Sequence, residues 1–386
     1  MADSMSAGKI NSLQLLRALA ALLVVYCHTL DRQPETAVSG SFQQHFFYLQ
    51  NFGAVGVDIF FVISGFIITI ISTQYAAHHR PGYFLARRLV RIVPVYWLVS
   101  LVPLLYGIKN GQPVISGAIK TIFFFPFFDH GFFDTPLLAV GWTLSFEMFF
   151  YIVVYAAMLI TRRWHIQLAM VFLLSLIGIS YITQADNPFI FFFGNGIVIE
   201  FLMGALAGLV FLSPVTVKPP VATFFLATGA IALLAGVFFG YGSISEAWAV
   251  WNRSIVMQRV LMWGLPAALL VAGSVFKEKE KPVTNTGRWL ILPGDASYSI
   301  YLIHIIILEA LYARWSRWGL LYSIPPDVLI GISVLLTALS GCIFYKIIEL
   351  PLLKFLNRKL GISKTPSGLP HRTGLKNGGL LKSNIT

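Results

Sequence analysis

Charged residues are scarce in this chain of 386 residues: Asp, Glu, Lys and Arg together fill 11% of the positions, where a soluble globular domain carries about a quarter. Hydrophobic residues account for 57% of the sequence and aromatic residues for 15%. One or two soluble cores could not bury so many apolar side chains. The composition therefore argues against a soluble enzyme and indicates a polytopic membrane protein.

Cysteine is nearly absent. The two cysteines, Cys27 and Cys342, both lie inside apolar blocks. This placement argues against a disulfide framework and against a zinc site built from cysteines. We therefore expect no metal cofactor.

The sequence contains ten apolar blocks of about 20 residues, the length that crosses a bilayer. A further stretch, 114–128, contains the aromatic run Phe123–Phe128 and could be an interfacial or re-entrant helix. The alternative is an eleventh span, which would move the C-terminus to the other side. The sequence thus predicts an all-α polytopic membrane protein with about ten transmembrane helices. The ten blocks run over 11–30, 52–73, 92–107, 139–160, 167–182, 189–212, 221–240, 255–276, 296–313 and 327–350.

The distribution of basic residues predicts the orientation. There are 28 Lys and Arg against 16 Asp and Glu, a net charge of +12, and in a membrane protein such an excess collects in cytoplasmic loops. No nucleic-acid partner is therefore inferred. Ten spans place 19 of the 28 basic residues on the side of both termini, which we predict to be cytoplasmic, in the inner (plasma) membrane. Of the other nine basic residues, six lie in outer loops (Arg32, Lys109, Lys120, Arg253, Arg314, Arg317) and three lie within spans (Arg17, Arg259, Lys346).

The chain divides into a transmembrane domain, 1–360, and a basic tail, 361–386. The tail has no acidic residue and little periodicity, so we expect it to be disordered and cytoplasmic. The first apolar block lacks a small-x-small cleavage signature, and we expect a first helix that is retained.

Ionisable residues inside the spans are candidates for function, because a charge is costly in hydrocarbon. Glu309, Lys346 and Glu349 lie near span ends, and we assign them to snorkelling or simple pairing. The full set comprises Arg17, His28, Asp58, Glu147, Glu200, Arg259, His304, Glu309, Lys346 and Glu349.

Arg17 and His28 stand 11 positions apart on the first helix, so they share a face to within roughly 20° and lie roughly 16 Å apart along the axis. A carrier anchored by phosphates at Arg17 could present its reactive end near His28, since arginine suits phosphate and histidine suits general-base work. The alternative is an arginine that snorkels to the headgroups and a histidine at the outer interface.

Two carboxylates, Asp58 on the second span and Glu147 on the fourth, are predicted at a depth comparable to that of His28. Either could orient the imidazole as the third member of a triad does. The alternative is a hydrogen bond between helices or, for Asp58, a salt bridge to an arginine such as Arg259.

A basic cluster, Arg87, Arg88 and Arg91, precedes Pro94 and Tyr96 at the cytoplasmic start of the third span. Such a cluster can be a topology signal that contacts anionic lipid. It is also well placed to bind the phosphates of a cytosolic cofactor.

Taken together, these motifs make the chain similar to the acyltransferase-3 family of polytopic membrane O-acyltransferases, most closely to the branch that acylates bacterial exopolysaccharide and lipopolysaccharide. The similarity extends from about Ile10 to Leu353 and rests on six motifs in the family's order. They are Arg17 with His28 (the Arg-x10-His motif), Gly56–Phe66, Arg87–Tyr96, Gly141–Glu147 with Phe150 and Tyr151, Ser297–His304, and Glu349–Pro351.

The resemblance implies transfer of an acyl group, commonly acetyl, from cytosolic acetyl-CoA or another acyl-CoA to a sugar hydroxyl of a glycan or lipid-linked glycan. It also implies that His28 is catalytic and that Arg17 is needed for activity, through donor binding. Our mechanistic hypothesis adds Arg87, Arg88 and Arg91 as residues that hold the CoA phosphates with Arg17. His28 would act as general base or accept the acyl group itself, oriented by Glu147 or Asp58. Candidates for the oxyanion donor are Ser145, Tyr301 and His304.

Two rival functions use the same residues differently. A secondary transporter or glycan exporter would use the buried Arg, His and carboxylates as ion or substrate sites, yet the sequence shows no paired halves with broken helices. A membrane scaffold or sensor would leave the spacing of Arg17 and His28 without a role.

Overall fold

The computed structural model describes residues 10–33, 41–125, 128–129, 132–133, 136–184, 187–240, 244, 247–283 and 287–362. The predicted basic tail lies outside these residues except at its first two positions, so the division at residue 360 stays a prediction. Part of the aromatic run, at residues 126–127, also lies outside them.

Helices make up nearly all of the described chain. A 3₁₀ turn, Ala139–Gly141, leads into the seventh helix, and two π-helical turns, Val260–Gly264 and Tyr345–Glu349, join helices end to end. In chain order the helices are α1 (Asn11–Leu30), α2 (Phe42–His45), α3 (Leu49–Phe52), α4 (Val55–Ala77), α5 (Pro81–Lys109), α6 (Ile115–Phe123), α7 (Trp142–Ile160), α8 (His165–Thr183), α9 (Pro188–Phe193), α10 (Val198–Leu212), α11 (Pro219–Phe239), α12 (Arg253–Arg259), α13 (Leu265–Glu280), α14 (Arg288–Asp295), α15 (Ser297–Arg317), α16 (Leu320–Ser323), α17 (Pro326–Phe344) and α18 (Leu350–Lys359).

Each of the ten predicted apolar blocks contains a long stretch of helix. Within the described ranges, eight segments are long and apolar enough to cross a membrane: α1, α4, α5, α7 with its preceding turn, α8, α11, α12–α13 and α17–α18. The pair α14–α15, bent by 74°, forms a ninth if it is counted as one span, and α10 is a shorter apolar helix in the remaining block. The chain is therefore an all-α polytopic membrane protein, as predicted.

The block predicted at 189–212 is broken into α9 and α10 at Asn195. The Asn195 amide donates to the carbonyl of Val250 (2.7 Å), and its side-chain oxygen accepts from the backbone N–H of Ile197 (2.9 Å). The second bond satisfies a backbone N–H at the start of α10, and the first ties the break to the segment that contains Val250.

The stretch predicted to be interfacial or re-entrant contains only short elements. Helix α6 has nine residues, about 14 Å of rise, which is too short to span a bilayer. After it, strand β1 (Phe128–Asp129) pairs antiparallel with β2 (Phe132–Phe133).

Long helices alternate in direction between two ends of the bundle, which we call the near face, where α1 begins at Asn11, and the far face, where α1 ends at Leu30. At the near face, Glu278 at the end of α13 accepts from the backbone N–H groups of Asn11 and Ser12 (2.8 and 2.7 Å). These contacts satisfy two free donors of the first turn of α1 and fix its start.

Helix α4 lies at the centre and contacts α1, α5, α7, α10 and α13. Its closest neighbour is α10, because glycines face backbone on both helices: a Cβ on Gly65 would lie 2.0 Å from the Phe201 carbonyl oxygen, and one on Gly204 would lie 2.0 Å from that of Val62. Small residues that let backbones approach in this way drive helix packing in membranes.

Replacing Gly204 with leucine is expected to force α4 and α10 apart and to destabilise the protein by about 1–3 kcal/mol or more. The matched control is Gly331→Leu on α17, where a Cβ meets no atom within 4 Å. Thermal unfolding in detergent should show a lower midpoint for the first variant alone. Equal midpoints for both variants would contradict this packing.

Candidate active site

A cavity of about 100 Å³ lies between α1, α4, α5, α7 and α15. It extends from Val57 and Thr143, on the side of the far face, to Arg88 and Ser297, on the side of the near face. Its apolar walls are interrupted by a set of polar side chains that converge from all five helices: Arg17, Ser64, Arg88, Arg91, Thr143, Glu147, Tyr151, Ser297, Tyr298 and Tyr301.

Three of the four predicted arginines line this cavity. Arg17 is buried, and its Nε donates to the Ser297 hydroxyl (3.1 Å). Arg88 and Arg91 come from α5 and stand three positions apart, so they share one face of that helix. Arg88 is buried, and its Nε has no hydrogen-bond partner among the described residues. The cavity therefore has a cationic wall with a free donor, which suits an anionic ligand.

The fourth arginine, Arg87, does not line the cavity. Its Nη1 donates to the Tyr75 hydroxyl (3.0 Å). Adjacent residues point about 100° apart on a helix, so Arg87 and Arg88 cannot both face the same space. The sequence predicted a group of three arginines on α5, and the structure brings two of them to the cavity.

Glu147 lies in this cationic part of the cavity rather than beside His28. It accepts a hydrogen bond from the Ser64 hydroxyl (2.9 Å) and another from the hydroxyl of Tyr151, one turn further along α7. Ser64 stands nine positions into α4, roughly 13 Å from its far-face end. The predicted depth of Glu147, comparable to that of His28, is therefore wrong, and no hydrogen bond from Glu147 to His28 is found among the described residues.

Asp58 forms a salt bridge with Arg259, so it has the partner that the alternative interpretation named. The Asp58 oxygens accept from Arg259 Nε (3.0 Å) and Nη2 (2.7 Å), and both side chains are buried. The guanidinium also lies over the Trp263 ring, 4.7 Å from its centroid. Both carboxylate oxygens are thus engaged, and Asp58 does not orient His28. Glu200 is buried beside this pair and interacts electrostatically with it.

His28 lies at the far-face end of α1 with 38% of its side chain exposed. Its nearest carboxylate is Asp31, one turn further along the same helix, with 3.5 Å between Nδ1 and Oδ2. Its ring packs against that of His304 on α15, with centroids 5.1 Å apart. The residue that contacts the His28 ring is therefore a second histidine rather than Glu147 or Asp58.

A continuous row of side chains connects the cavity with His28. Tyr301 lines the cavity, and its hydroxyl is 2.9 Å from that of Thr143. The Tyr301 ring lies 5.8 Å from the ring of His304, which in turn contacts His28. Two predicted oxyanion donors, Tyr301 and His304, thus lie on this line, whereas Ser145 is buried but does not line the cavity.

The chain matches the acyltransferase domain family over residues 10–346. It belongs to the acyltransferase-3 family. The protein is therefore an acyltransferase, and its match to relatives named as O-acetyltransferases identifies it as a membrane O-acyltransferase. Within the part of the chain that the structure describes, no group of three or more His, Cys, Asp or Glu is placed to hold a metal ion.

The chain is similar to several curated bacterial proteins. It is 32% identical to an exopolysaccharide production protein (ExoZ) of Rhizobium meliloti (strain 1021), over 78% of this chain and 90% of that protein. It is 26% identical to nodulation protein 10 of Rhizobium leguminosarum bv. viciae, over 90% and 95%. It is also 26% identical to a peptidoglycan O-acetyltransferase (OatA) of Listeria monocytogenes, over 78% of this chain and about half (49%) of that protein. No solved structure matches the chain.

The structure adds cavity residues to which the sequence had assigned no role: Ser64, Tyr151, Ser297 and Tyr298. Tyr151 could have been found from its i+4 spacing to Glu147, which places both on one helix face. Ser64 and Ser297 stand within two of the motifs that the sequence analysis names, but their contacts could not be derived, because their partners Glu147 and Arg17 are 83 and 280 residues away in sequence. All four side chains line the cavity between α1, α4, α5, α7 and α15.

Proposed function

We propose that the protein transfers an acyl group, acetyl in the first instance, from cytosolic acyl-CoA to a sugar hydroxyl of a cell-surface or exported glycan. His28 acts as general base or as the residue that accepts the acyl group before passing it on. The observation that carries this proposal is the cavity with Arg17, Arg88 and Arg91 at one end and a row of side chains to His28 at the other.

The donor side of the proposal rests on the cationic wall. Coenzyme A carries phosphates, and buried arginines bind phosphate through a permanent charge and a planar set of donors. Arg17 and His28 are separated by roughly 16 Å along α1, so the site suits an extended carrier whose phosphates and thioester lie far apart. Tyr298 and Tyr301 line the intervening wall.

The acceptor side rests on the exposure of His28 and on the names of the relatives. His28 is half-exposed at the far face, where a hydroxyl of a large polymer could approach it. Two of the three relatives are named for exopolysaccharide production and peptidoglycan O-acetylation, which supports a glycan or lipid-linked glycan as the acceptor here.

The proposed orientation places the near face and both termini in the cytoplasm, with the protein in the inner (plasma) membrane. Its support is the bias of basic residues toward the loops on that side. This orientation brings the arginine end of the cavity to the cytosolic donor and His28 to the outer acceptor.

An assay in lipid tests this function. Purified protein in liposomes is incubated with labelled acetyl-CoA and a glycan extract, and the label on the glycan is measured. Label that depends on acetyl-CoA and protein supports the enzyme. Movement of unmodified glycan or of ions without labelling would contradict it and favour the secondary transporter or glycan exporter.

Replacing Arg17 with lysine is expected to raise the KM for acetyl-CoA about tenfold or more, because lysine keeps the charge but loses the planar fork. A tenfold change corresponds to about 1.4 kcal/mol. The matched control is Arg87→Lys on the neighbouring surface of α5, which should leave KM near the wild-type value. Steady-state kinetics with varied acetyl-CoA would contradict the donor site if both variants changed KM equally.

A further inference from the structure

His304 lies in the interior of the bundle and has a ring nitrogen with no hydrogen-bond partner in the described part of the chain. The side chain is fully buried, and its Nδ1 lies 2.6 Å from the backbone carbonyl oxygen of Tyr301. Its Nε2 has no hydrogen-bond partner among the described residues. Buried polar atoms are rarely left unpaired in proteins, so a position of this kind calls for an explanation.

The contact with Tyr301 fixes the chemistry of the free nitrogen. A backbone carbonyl can only accept a hydrogen bond, so the hydrogen of the neutral imidazole is on Nδ1. Nε2 therefore presents a lone pair. It can accept a proton and can give the same proton up again.

The position of His304 lies between the two substrates of the proposed reaction. On one side its ring is 5.8 Å from that of Tyr301, which lines the cavity. On the other side it is 5.1 Å from the ring of His28, which is half-exposed at the far face. His304 itself does not line the cavity, so the donor thioester would approach it past Tyr301, and the acceptor would meet His28 from outside.

We propose that His304 carries the proton that His28 takes from the acceptor hydroxyl to the sulfur of the departing thiolate. The inference rests on the proposed function, with His28 as general base in direct transfer. The acceptor oxygen forms a bond to the thioester carbonyl carbon, and the carbon–sulfur bond breaks with its electron pair on sulfur. The proton moves from the hydroxyl to His28, then to His304 Nε2, and then to sulfur, so that a thioester and an alcohol give an ester and a thiol.

A second histidine shortens the path of the proton, because the ring of His304 lies between His28 and Tyr301 at the cavity wall. His28 is at the far face, whereas the leaving sulfur remains on the side of the cavity. Because His28 is partly exposed, its ring can turn, or a water can bridge the two rings, when the proton passes. Burial of His304 disfavours a lasting charge there, which suits a carrier that holds the proton only during transfer.

Two variants of His304 test the carrier role. His304→Gln keeps a polar side chain of similar length, with a hydrogen-bonding group near the position of Nε2, but an amide does not carry a proton. We expect it to lose about 100-fold or more in transfer from acetyl-CoA, the range of general acid–base catalysis. His304→Ala should lose a similar factor and should recover at least tenfold when imidazole is added. Pyrrole, a ring of the same size with an N–H but no basic lone pair, should not restore it.

Each result bears on the proposal. Rescue by imidazole and not by pyrrole supports it. Near-wild-type activity of His304→Gln, equal rescue by both rings, or rescue by neither overturns it, because His304 then acts only through packing or a hydrogen bond. Wild-type protein that transfers no acetyl group overturns the proposed function itself, whereas a normal wild type with unaffected His304 variants overturns the proton route alone.

Discussion

Replacing His28 with alanine is expected to abolish acyl transfer while the protein stays folded in the membrane. His28 is the one predicted catalytic residue that the structure leaves half-exposed at the far face, with a ring available to an acceptor. Loss of a general base costs about 10²- to 10⁴-fold in rate. Label transferred from acetyl-CoA to glycan should therefore fall to the background of liposomes without protein.

The matched control for this variant is His78→Ala. His78 is exposed at the opposite end of the bundle, where its Nδ1 contacts only the Gln74 carbonyl of its own helix among the described residues. This variant should transfer label at the wild-type rate, and both variants should elute from a sizing column as the wild type does. A His28→Ala protein with more than a tenth of the wild-type rate would contradict the catalytic assignment.

Replacing Arg259 with methionine is expected to destabilise the protein by about 3–5 kcal/mol, the range for one partner removed from a buried ion pair. Arg259 is the cation that faces two buried carboxylates, Asp58 through a salt bridge and Glu200 through space. Without it, two carboxylates must be protonated or must force the helices apart. The loss should lower the thermal unfolding midpoint in detergent.

Asp58→Asn should destabilise the protein less than Arg259→Met does, because Glu200 remains to balance the charge of Arg259. The double variant should lose less stability than the two single variants lose together. Each substitution removes the charged partner that the other substitution leaves unpaired. The thermal unfolding midpoints of the wild type, the two single variants and the double variant measure the coupling between Asp58 and Arg259. A larger loss for Asp58→Asn than for Arg259→Met would show that Glu200 does not share the arginine's charge.

Much of the fold could be predicted from the sequence, because bilayer thickness sets the length of an apolar block. All ten blocks contain helix, and Arg17 and His28 lie on α1 as their spacing requires. The break at Asn195 was not predicted, since it depends on a hydrogen bond to Val250, 55 residues away. A hydropathy profile alone shows such a block as one continuous apolar segment.

The candidate site could be predicted only in part, because a sequence gives the face of one helix but not its neighbour. Arg17 and Arg88, which the sequence assigns to one ligand, line one cavity, and their role in donor binding stays a prediction. Asp58 was assigned to two alternatives, of which the salt bridge with Arg259 is the one observed. The sequence placed Glu147 too near the far face, because its depth depends on the hydrogen bond that it accepts from Ser64 on α4. The contact of His28 with His304 joins residues 276 positions apart and has no local signature.

The central claim, that this membrane O-acyltransferase modifies an exported glycan through His28, is tested most directly in cells. Surface polysaccharide from a strain without the gene is compared by mass spectrometry with polysaccharide from the same strain carrying either the wild-type gene or the His28→Ala variant. We expect an ester-linked acyl group, labile to mild base, in the wild-type sample alone. The same ester in all three samples, or in the His28→Ala sample at the wild-type level, would contradict the claim.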